Sequence, residues 1–335
     1  MRTGEIRYFH DQLPQDAHRR IYEALEDAIA KRATNMRLKV AGDELSIEQL
    51  QEITMHVYND HPEFFDLFIP KMFYSIAWHT VYIHLAYRHS NKVAKIHMEE
   101  LQTAVDRFIT DCFPEGWRQL SEIRREKMIF DRLTSQVVYD FDSLSKSDLP
   151  DVDAWSAYGA LVQKKAICHG ISCAFKLLCD QVDIPCIVIL GDASGRHAWN
   201  LVRIQCRFSH VDCTWLLRSS IDMTIPYARY RYFNVPDWVI KRTRTVEVPY
   251  LPKCTSLRFN PFHMQGLCAS TCEELCKVLM SQLLYGQKRL AAMLVHYPVA
   301  NEELNTLIQD ISVTNSISIR WYLDDTRTFF GAICV

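Results

Sequence analysis

The sequence has 335 residues, of which 48% are hydrophobic and 23% charged, and its formal net charge is −2. This composition is ordinary for a soluble globular protein of two or three domains, and the balanced charge gives no indication of nucleic-acid or membrane binding. The start of the sequence lacks the apolar core of a signal peptide, and no stretch approaches the ~18 apolar residues of a membrane span. The twelve cysteines therefore indicate reduced thiols in a cytoplasmic protein rather than a disulfide framework.

Residues 1–113 are predicted to form an N-terminal α+β domain. Its first helix carries an apolar stripe at helical spacing, made of Ile21, Ala24, Leu25, Ala28 and Ile29. Ser46 and Gln49 have the spacing of a capping box, which predicts the start of a second helix. Residues 71–87 are rich in aromatic and β-branched side chains and predict strands, and a long helix follows. Nothing in this domain has the spacing of a catalytic site.

Residues 114–252 are predicted to form the core domain, and Cys168 is its most informative residue. An apolar stripe at helical spacing follows it directly, made of Ile171, Phe175, Leu178 and Cys179. Cys168 is therefore expected at the first turn of a buried helix, where backbone N–H groups and the positive end of the helix dipole favour a thiolate. The pattern predicts a reactive cysteine at this position.

Three strands are predicted after this helix, and two of them carry further candidate residues. The second strand spans residues 198–205 and is opened by His197, and the third spans residues 208–215 and includes Asp212. A hairpin turn centred near residues 204–205 would make His197 and Asp212 face each other, with Cβ atoms roughly 5 Å apart. That separation suits a hydrogen bond between an imidazole and a carboxylate.

A thiol, an imidazole and a carboxylate in this order are the parts of a cysteine-based acyl-transfer site. The Cys168 thiolate attacks, His197 accepts and returns the proton, and Asp212 holds the imidazole in the useful tautomer. The backbone N–H of Cys168 is a natural donor to the oxyanion, and Gln163 is a candidate side-chain donor because it is close in sequence. This chemistry requires no metal ion and no organic cofactor.

Three short motifs carry these residues: Cys168-His169-Gly170, His197-Ala198-Trp199-Asn200 and Val211-Asp212-Cys213-Thr214-Trp215. Together they resemble the transglutaminase-like superfamily of papain-type cysteine enzymes, over residues 127–234. The resemblance implies an α+β fold in which a helix bearing the cysteine packs on an antiparallel sheet bearing the histidine and the aspartate. It also implies four residues that support the site, namely Gly170, Trp199, Asn200 and Trp215.

The sequence departs from the family pattern in two places. Ile171 stands where a tyrosine commonly follows the glycine, and Gln205-Cys206-Arg207 replaces the usual glycine-containing hairpin turn. Both differences concern the substrate pocket and the turn, and neither changes the three candidate catalytic residues.

The predicted activity is acyl transfer on peptide or glutamine amides through a thioester intermediate, with a protein or peptide as the substrate. The three residues are common to hydrolysis, as in a protease or deamidase, and to transamidation, so both outcomes stay open. A non-catalytic interaction module with the same fold is the alternative, because the flanking domains could cover the cleft or recruit a partner. The oligomeric state is open as well.

Residues 253–335 are predicted to form a C-terminal α+β segment. A long helix is expected over residues 273–296, a strand near residues 316–323, and a final edge strand over residues 328–335. The role of this segment is open: it either braces the core or binds a partner.

Three further groups of residues are not interpreted as functional sites. Cys268, Cys272 and Cys276 have the spacing of one helical face, and a packed face is favoured over a metal site because no histidine lies at ligand spacing. Residues 229–232 and 241–244 mix basic and aromatic side chains. They are interpreted as solvated loops rather than a nucleic-acid surface.

Overall fold

The computed structural model describes residues 7–39, 45–67, 73–77, 80–145, 153–217, 222–248, 250–295, 300–324 and 326–335. The structure combines helices with mainly antiparallel sheets, which confirms the predicted α+β class. The chain divides into two compact units. The first comprises Met1–Leu190, His197–Leu201 and Val248–Tyr250, and the second comprises Gly191–Arg196, Val202–Glu247 and Leu251–Val335. The division into three domains at residues 113 and 252 stays a prediction.

The N-terminal part of the first unit combines an antiparallel sheet with helices. Its elements are α1 (Tyr8–Gln12), α2 (Asp16–Ala30), β1 (Asn35–Lys39), α3 (Ile47–Asp60), β2 (Phe73–Ala77) and β3 (Thr80–His84). The strand order is β1-β3-β2. The predicted stripe of α2 is confirmed, because Ile21 and Leu25 are buried in one cluster with Val81 of the sheet. The predicted capping box is also present: Ser46 and Gln49 each accept the other's backbone N–H.

The rest of the first unit leads to the helix that begins at Cys168. Its elements are α4 (Asn91–Cys112), α5 (Glu122–Gln136), β4 (Val138–Tyr139), α6 (Phe141–Ser145), β5 (Lys165–Ala166) and α7 (Cys168–Gln181). Strands β4 and β5 pair in parallel. Helix α7 is buried along most of its length, as its apolar stripe predicts.

A four-stranded sheet follows α7. Its strands are β6 (Cys186–Asp192), β7 (Arg196–Ile204), β8 (Arg207–Val211) and β9 (Thr245–Val246), in the order β8-β7-β6-β9. The β7–β8 loop consists of Gln205 and Cys206, whose φ angles are +47° and +63°. Two consecutive residues with positive φ are the signature of a type I′ turn, which matches the twist of a hairpin without a glycine being present.

The structure corrects two predictions about this hairpin. The turn lies at residues 205–206, one residue later than predicted, and β8 ends at Val211, where a short helix, α8 (Cys213–Leu217), takes over. Asp212 therefore lies after the strand and not within it. The predicted opposition of Asp212 to His197 was based on a turn at residues 204–205 and on a strand through Asp212, and neither is present.

The C-terminal part of the second unit is a mixed sheet with two long helices. Its elements are α9 (Asp237–Ile240), α10 (Pro261–Met264), β10 (Cys268–Ala269), α11 (Cys272–Leu284), β11 (Arg289–Leu294), α12 (Asn301–Asn315), β12 (Ile319–Leu323) and β13 (Phe329–Cys334). The strand order is β10-β11-β13-β12. Leu275 and Leu279 of α11 and Leu304 of α12 are buried against this sheet in one cluster.

Three predictions for this part are wrong. The helix expected over residues 273–296 ends at Leu284, because Gly286 (φ +73°) adopts the left-handed conformation that stops a helix, and β11 follows. The last strand, β13, lies between β11 and β12 and is not an edge strand. Cys268 belongs to β10 and precedes α11, so it does not share a helical face with the other two cysteines.

Within the described ranges, no helix is both long enough and apolar enough to span a membrane.

Candidate active site

Cys168 is the first residue of α7, as the sequence predicts, and its side chain is 7% exposed. Ile167 precedes it in an extended conformation, and the first intrahelical hydrogen bond runs from the Ile171 N–H to the Ile167 carbonyl at 3.0 Å. The N–H groups before Ile171 have no helical carbonyl four residues earlier. Cys168 therefore lies at the positive end of the helix dipole, where a thiolate is stabilised.

Gly170 allows the start of α7 to approach a neighbouring segment closely. A Cβ atom at this position would lie 2.5 Å from the Ala154 carbonyl oxygen and 2.8 Å from the Ser156 carbonyl oxygen. The Ile167 N–H also donates to the Ala154 carbonyl at 2.9 Å. The glycine two residues after the cysteine is thus explained by packing of the helix start against backbone.

His197 is the second residue of β7 and is 3% exposed. Its ring stacks on that of Trp199, with centroids 5.6 Å apart and an interplanar angle of 19°. Residues two apart on a strand share a face, which explains why these two rings meet. Trp199 is itself buried, so it restricts the plane of the imidazole.

Asn200 joins the strand of His197 to the helix of Cys168. Its amide nitrogen donates to the Ser172 carbonyl of α7 at 3.0 Å and to the Ile187 carbonyl of β6 at 3.4 Å. Asn200 is 1% exposed, and a buried hydrogen bond of this kind fixes the relative position of the elements it connects. Within the first unit, the structure therefore places the cysteine and histidine motifs on directly bonded elements.

Asp212 belongs to the second unit and caps α8. Its Oδ1 accepts the backbone N–H groups of Thr214 and Trp215 at 3.0 and 3.1 Å, as an N-cap aspartate does. Its Oδ2 accepts Nε and Nη2 of Arg244 at 3.2 and 2.9 Å. Both side chains of this ion pair are 0% exposed, so the carboxylate is held from two sides.

Sequence reasoning missed Arg244, the partner of Asp212. Its guanidinium carbon lies 4.6 Å from the ring centroid of Trp215 and 4.3 Å from that of Tyr232. Burial lowers the pKa of Arg244, but the Asp212 carboxylate and Tyr232 together outweigh this effect and hold that pKa above its usual range. The interpretation of residues 241–244 as a solvated loop is therefore wrong at Arg244. The arginine is 32 residues from its partner, and no local pattern marks it.

The other basic run is also partly buried. Arg231 is 1% exposed, and its guanidinium donates to the Trp215 carbonyl at 3.1 Å and to the Ala228 carbonyl at 3.3 Å. Tyr232 is buried beside it. The solvated-loop interpretation of residues 229–232 is wrong at these positions, because arginine and tyrosine bury well when their polar ends are bonded.

Gln163 lies on the surface at the end of a short π-helical turn, Gly159–Gln163. Its amide nitrogen donates to the Asp153 carboxylate at 2.6 Å. His169 is buried, and its two ring nitrogens contact the Trp155 carbonyl at 2.8 Å and Asn59 Oδ1 at 3.1 Å. Burial lowers the pKa of His169. Its two contacts link separate segments of the first unit.

Residues 117–213 match the family model of the transglutaminase-like superfamily. This segment contains both the helix of Cys168 and the strand of His197, and the match confirms the resemblance that the three motifs predicted. The similarity to the transglutaminase-like superfamily therefore covers residues 117–213, within an α+β fold.

Two solved structures are similar to part of the chain. One is described as a TGase, with 14% identity and a TM-score of 0.31 over 54% of this chain and 51% of that one. The other is a proposed cysteine protease from Cytophaga hutchinsonii, with 14% identity and a TM-score of 0.25 over 40% of this chain and 52% of that one. The matched region is about half the length of each of these structures. No curated protein matches the chain.

Proposed function

We propose that the protein is a cysteine enzyme that transfers the acyl group of a peptide or glutamine amide through a thioester. The observation that carries the proposal is the pair of buried motifs in the first unit. Cys168 begins α7, and Asn200, three residues after His197, bonds directly to that helix. A cysteine nucleophile is activated when its thiol lies at the start of a helix and a neighbouring strand carries an imidazole.

The proposed reaction has two steps. The Cys168 thiolate attacks the amide carbonyl carbon, the carbon–nitrogen bond breaks, and protonated His197 gives its proton to the departing amine. Water or a primary amine then attacks the thioester, passes a proton to His197 and releases the thiolate. The backbone N–H of Cys168 is the proposed donor to the oxyanion, since it lies at the helix start.

Asp212 is the proposed carboxylate that orients His197, as the family resemblance implies. The α8 backbone and Arg244 hold its two oxygen atoms in place. Gln163 is not needed for the proposal, because its amide nitrogen is engaged by Asp153 on the surface.

Hydrolysis and transamidation share this thioester. A protein or peptide substrate and a cytoplasmic location are part of the proposal. A non-catalytic interaction module is the second candidate, and one observation favours it: the Cys168 and His197 side chains are only 7% and 3% exposed. A substrate must reach the sulfur, so the reactivity of the thiol separates the two candidates.

Alkylation of the full-length protein at graded pH, followed by peptide mapping, tests the proposal. We expect Cys168 to be labelled rapidly near neutral pH and at least about 10-fold more slowly in His197→Ala, because the imidazole no longer accepts the thiol proton. His263→Ala, a substitution at an exposed histidine, is the matched control and leaves the rate unchanged. Equal labelling of Cys168 in wild type and His197→Ala would overturn the enzymatic proposal in favour of the interaction module.

A further inference from the structure

Among the described residues, one group of three metal-binding side chains brings its donor atoms together. They are His210 of β8, Asp237 at the start of α9, and Cys254. One donor atom from each residue, a ring nitrogen, a carboxylate oxygen and the sulfur, lies within 4.8 Å of the other two. All three residues belong to the second unit, and the proposed acyl transfer uses none of them.

Backbone hydrogen bonds hold the three segments in place. His210 and Val235 exchange N–H···O bonds of 2.8 and 3.0 Å, which fixes the strand next to the chain that leads into α9. The Asp237 N–H donates to the Cys254 carbonyl at 2.7 Å, and the Cys254 N–H donates to the Asp237 carboxylate at 3.3 Å. The positions of the donors are therefore set by the main chain, which preorganises a site.

The surroundings suit a cation. His210 and Cys254 are 2% and 1% exposed, and Asp237, at 26% side-chain exposure, is open to solvent on one side. A buried imidazole and a buried sulfur beside a partly exposed carboxylate give an ion two fixed donors and one side open to solvent.

One positive group competes for the carboxylate. The Lys241 ammonium lies 3.7 Å from Asp237 Oδ2, but its side chain is 59% exposed. A contact of that length at the surface stabilises the protein little. Lys241 can therefore turn toward solvent when an ion enters.

We propose that His210, Asp237 and Cys254 form a zinc site. One imidazole nitrogen, one carboxylate oxygen and one thiolate are a donor set that Zn²⁺ prefers, and a water completes the tetrahedron. Binding releases the Cys254 thiol proton and replaces the 2.9 Å hydrogen bond between His210 Nε2 and Asp237 Oδ1 with bonds to the metal. The ion links β8, α9 and the segment at residue 254, so it stabilises the second unit.

The test uses full-length protein that has been dialysed against a chelator and then titrated with Co²⁺ alone as an optical probe. Wild type is expected to develop a sulfur-to-cobalt charge-transfer band that saturates at one equivalent, and Zn²⁺ is expected to displace the cobalt. Cys254→Ser abolishes the band. Cys206→Ser, at the exposed turn between β7 and β8, is the matched control and retains it, as does Cys168→Ser.

A second variant keeps the test decisive if Cys254→Ser disturbs the fold. Asp237→Asn preserves the shape of a partly exposed side chain, and its zinc affinity is expected to fall at least about 10-fold. Zinc also raises the melting temperature of wild type, through binding to the folded state, and leaves that of Cys254→Ser unchanged. The proposal is overturned if Zn²⁺ does not raise the melting temperature of wild type, or if both variants bind the metal as tightly as wild type does.

Discussion

The Asp212–Arg244 ion pair of the second unit has further contacts on both partners. Both side chains are fully buried, and the desolvation of two charges offsets much of their attraction. The pair persists because each partner has further contacts: two backbone N–H groups bond the carboxylate, and two aromatic rings flank the guanidinium. Its importance is therefore revealed by removing one partner, which leaves the other charge buried without its counter-ion.

We expect Arg244→Gln to lower the free energy of unfolding by about 3–5 kcal/mol, because Asp212 is then a buried charge without a cation. Denaturant unfolding measures this change. Arg242→Gln is the matched control: this arginine is exposed and donates one hydrogen bond, to the Thr326 carbonyl, so a loss of about 1 kcal/mol is expected. Equal losses of unfolding free energy in the two variants would show that the buried ion pair contributes no more than the single hydrogen bond of Arg242.

Gly170→Ala is expected to destabilise the protein by about 1–3 kcal/mol, because its Cβ would overlap the Ala154 and Ser156 carbonyl oxygens. Thermal or denaturant unfolding measures the effect. The sign is informative without a control variant. Inside a helix, alanine is more stabilising than glycine by about 1 kcal/mol. If no carbonyl oxygen lay close to Gly170, the substitution would therefore stabilise the protein. A more stable Gly170→Ala protein would contradict the packing argument.

His56 predicts a pH dependence of stability. It stacks on Phe9 with ring centroids 4.6 Å apart, and burial lowers the pKa of His56 from 6.5 to about 4. The unfolded chain binds the proton more tightly, so the contribution of His56 is complete above about pH 6.5 and is lost progressively as the pH falls to about 4. The difference corresponds to about 3 kcal/mol at most.

Unfolding of His56→Phe and wild type at pH 7 and pH 4.5 measures this contribution. The variant is expected to lose less stability on acidification, because phenylalanine keeps the ring contact and has no proton to bind. His263→Phe, at an exposed position, leaves the pH dependence of wild type unchanged. A His56→Phe protein with the same acid loss as wild type would exclude this histidine as the cause.

At the scale of elements, the turn between β7 and β8 is a place of backbone strain. Gln205 and Cys206 both have positive φ, a conformation that costs an L-residue roughly 1–2 kcal/mol. The sequence contains no glycine here, so the turn could not be assigned from its residues alone. The strands on either side determine it, since a type I′ turn is the one that fits their twist.

Replacing Gln205-Cys206 with Asn-Gly is expected to stabilise the protein by about 1–2 kcal/mol. Both new residues favour the left-handed conformation that this turn requires, and denaturant unfolding measures the gain. Cys206→Ser is the control, because serine removes the thiol and keeps the conformational cost, so its stability stays near that of wild type. A stability of the Asn-Gly variant below that of wild type would argue against a type I′ turn.

Sequence patterns predicted the elements that are defined by local signals. The stripe after Cys168 identified α7, and Ser46 with Gln49 identified the start of α3, because both signals lie within a few residues. The stop of α11 was missed, since a single glycine outweighed a long apolar pattern. Arg244 and the central position of β13 were missed because both depend on contacts between distant parts of the chain.

At the scale of the whole molecule, the candidate residues are distributed over both units. The thiol and the imidazole belong to the first, and the capped carboxylate and the proposed zinc donors belong to the second. Burial of both Cys168 and His197 means that stability and activity must be measured together. If a variant loses activity and stability together, the loss of activity does not identify a reacting group. A stable but inactive variant does identify one.

We expect Cys168→Ala and His197→Ala to lower ammonia release from a glutamine-containing peptide by at least about 10³-fold, since each removes a group needed for the thioester step. Their melting temperatures should stay within a few degrees of wild type, and His263→Ala should retain full activity. Adding a primary amine separates the outcomes: incorporation seen by mass spectrometry indicates transamidation, and release without incorporation indicates deamidation. Cleaved peptide products would instead indicate a protease. Ammonia release by Cys168→Ala at the wild-type rate would exclude Cys168 as the nucleophile.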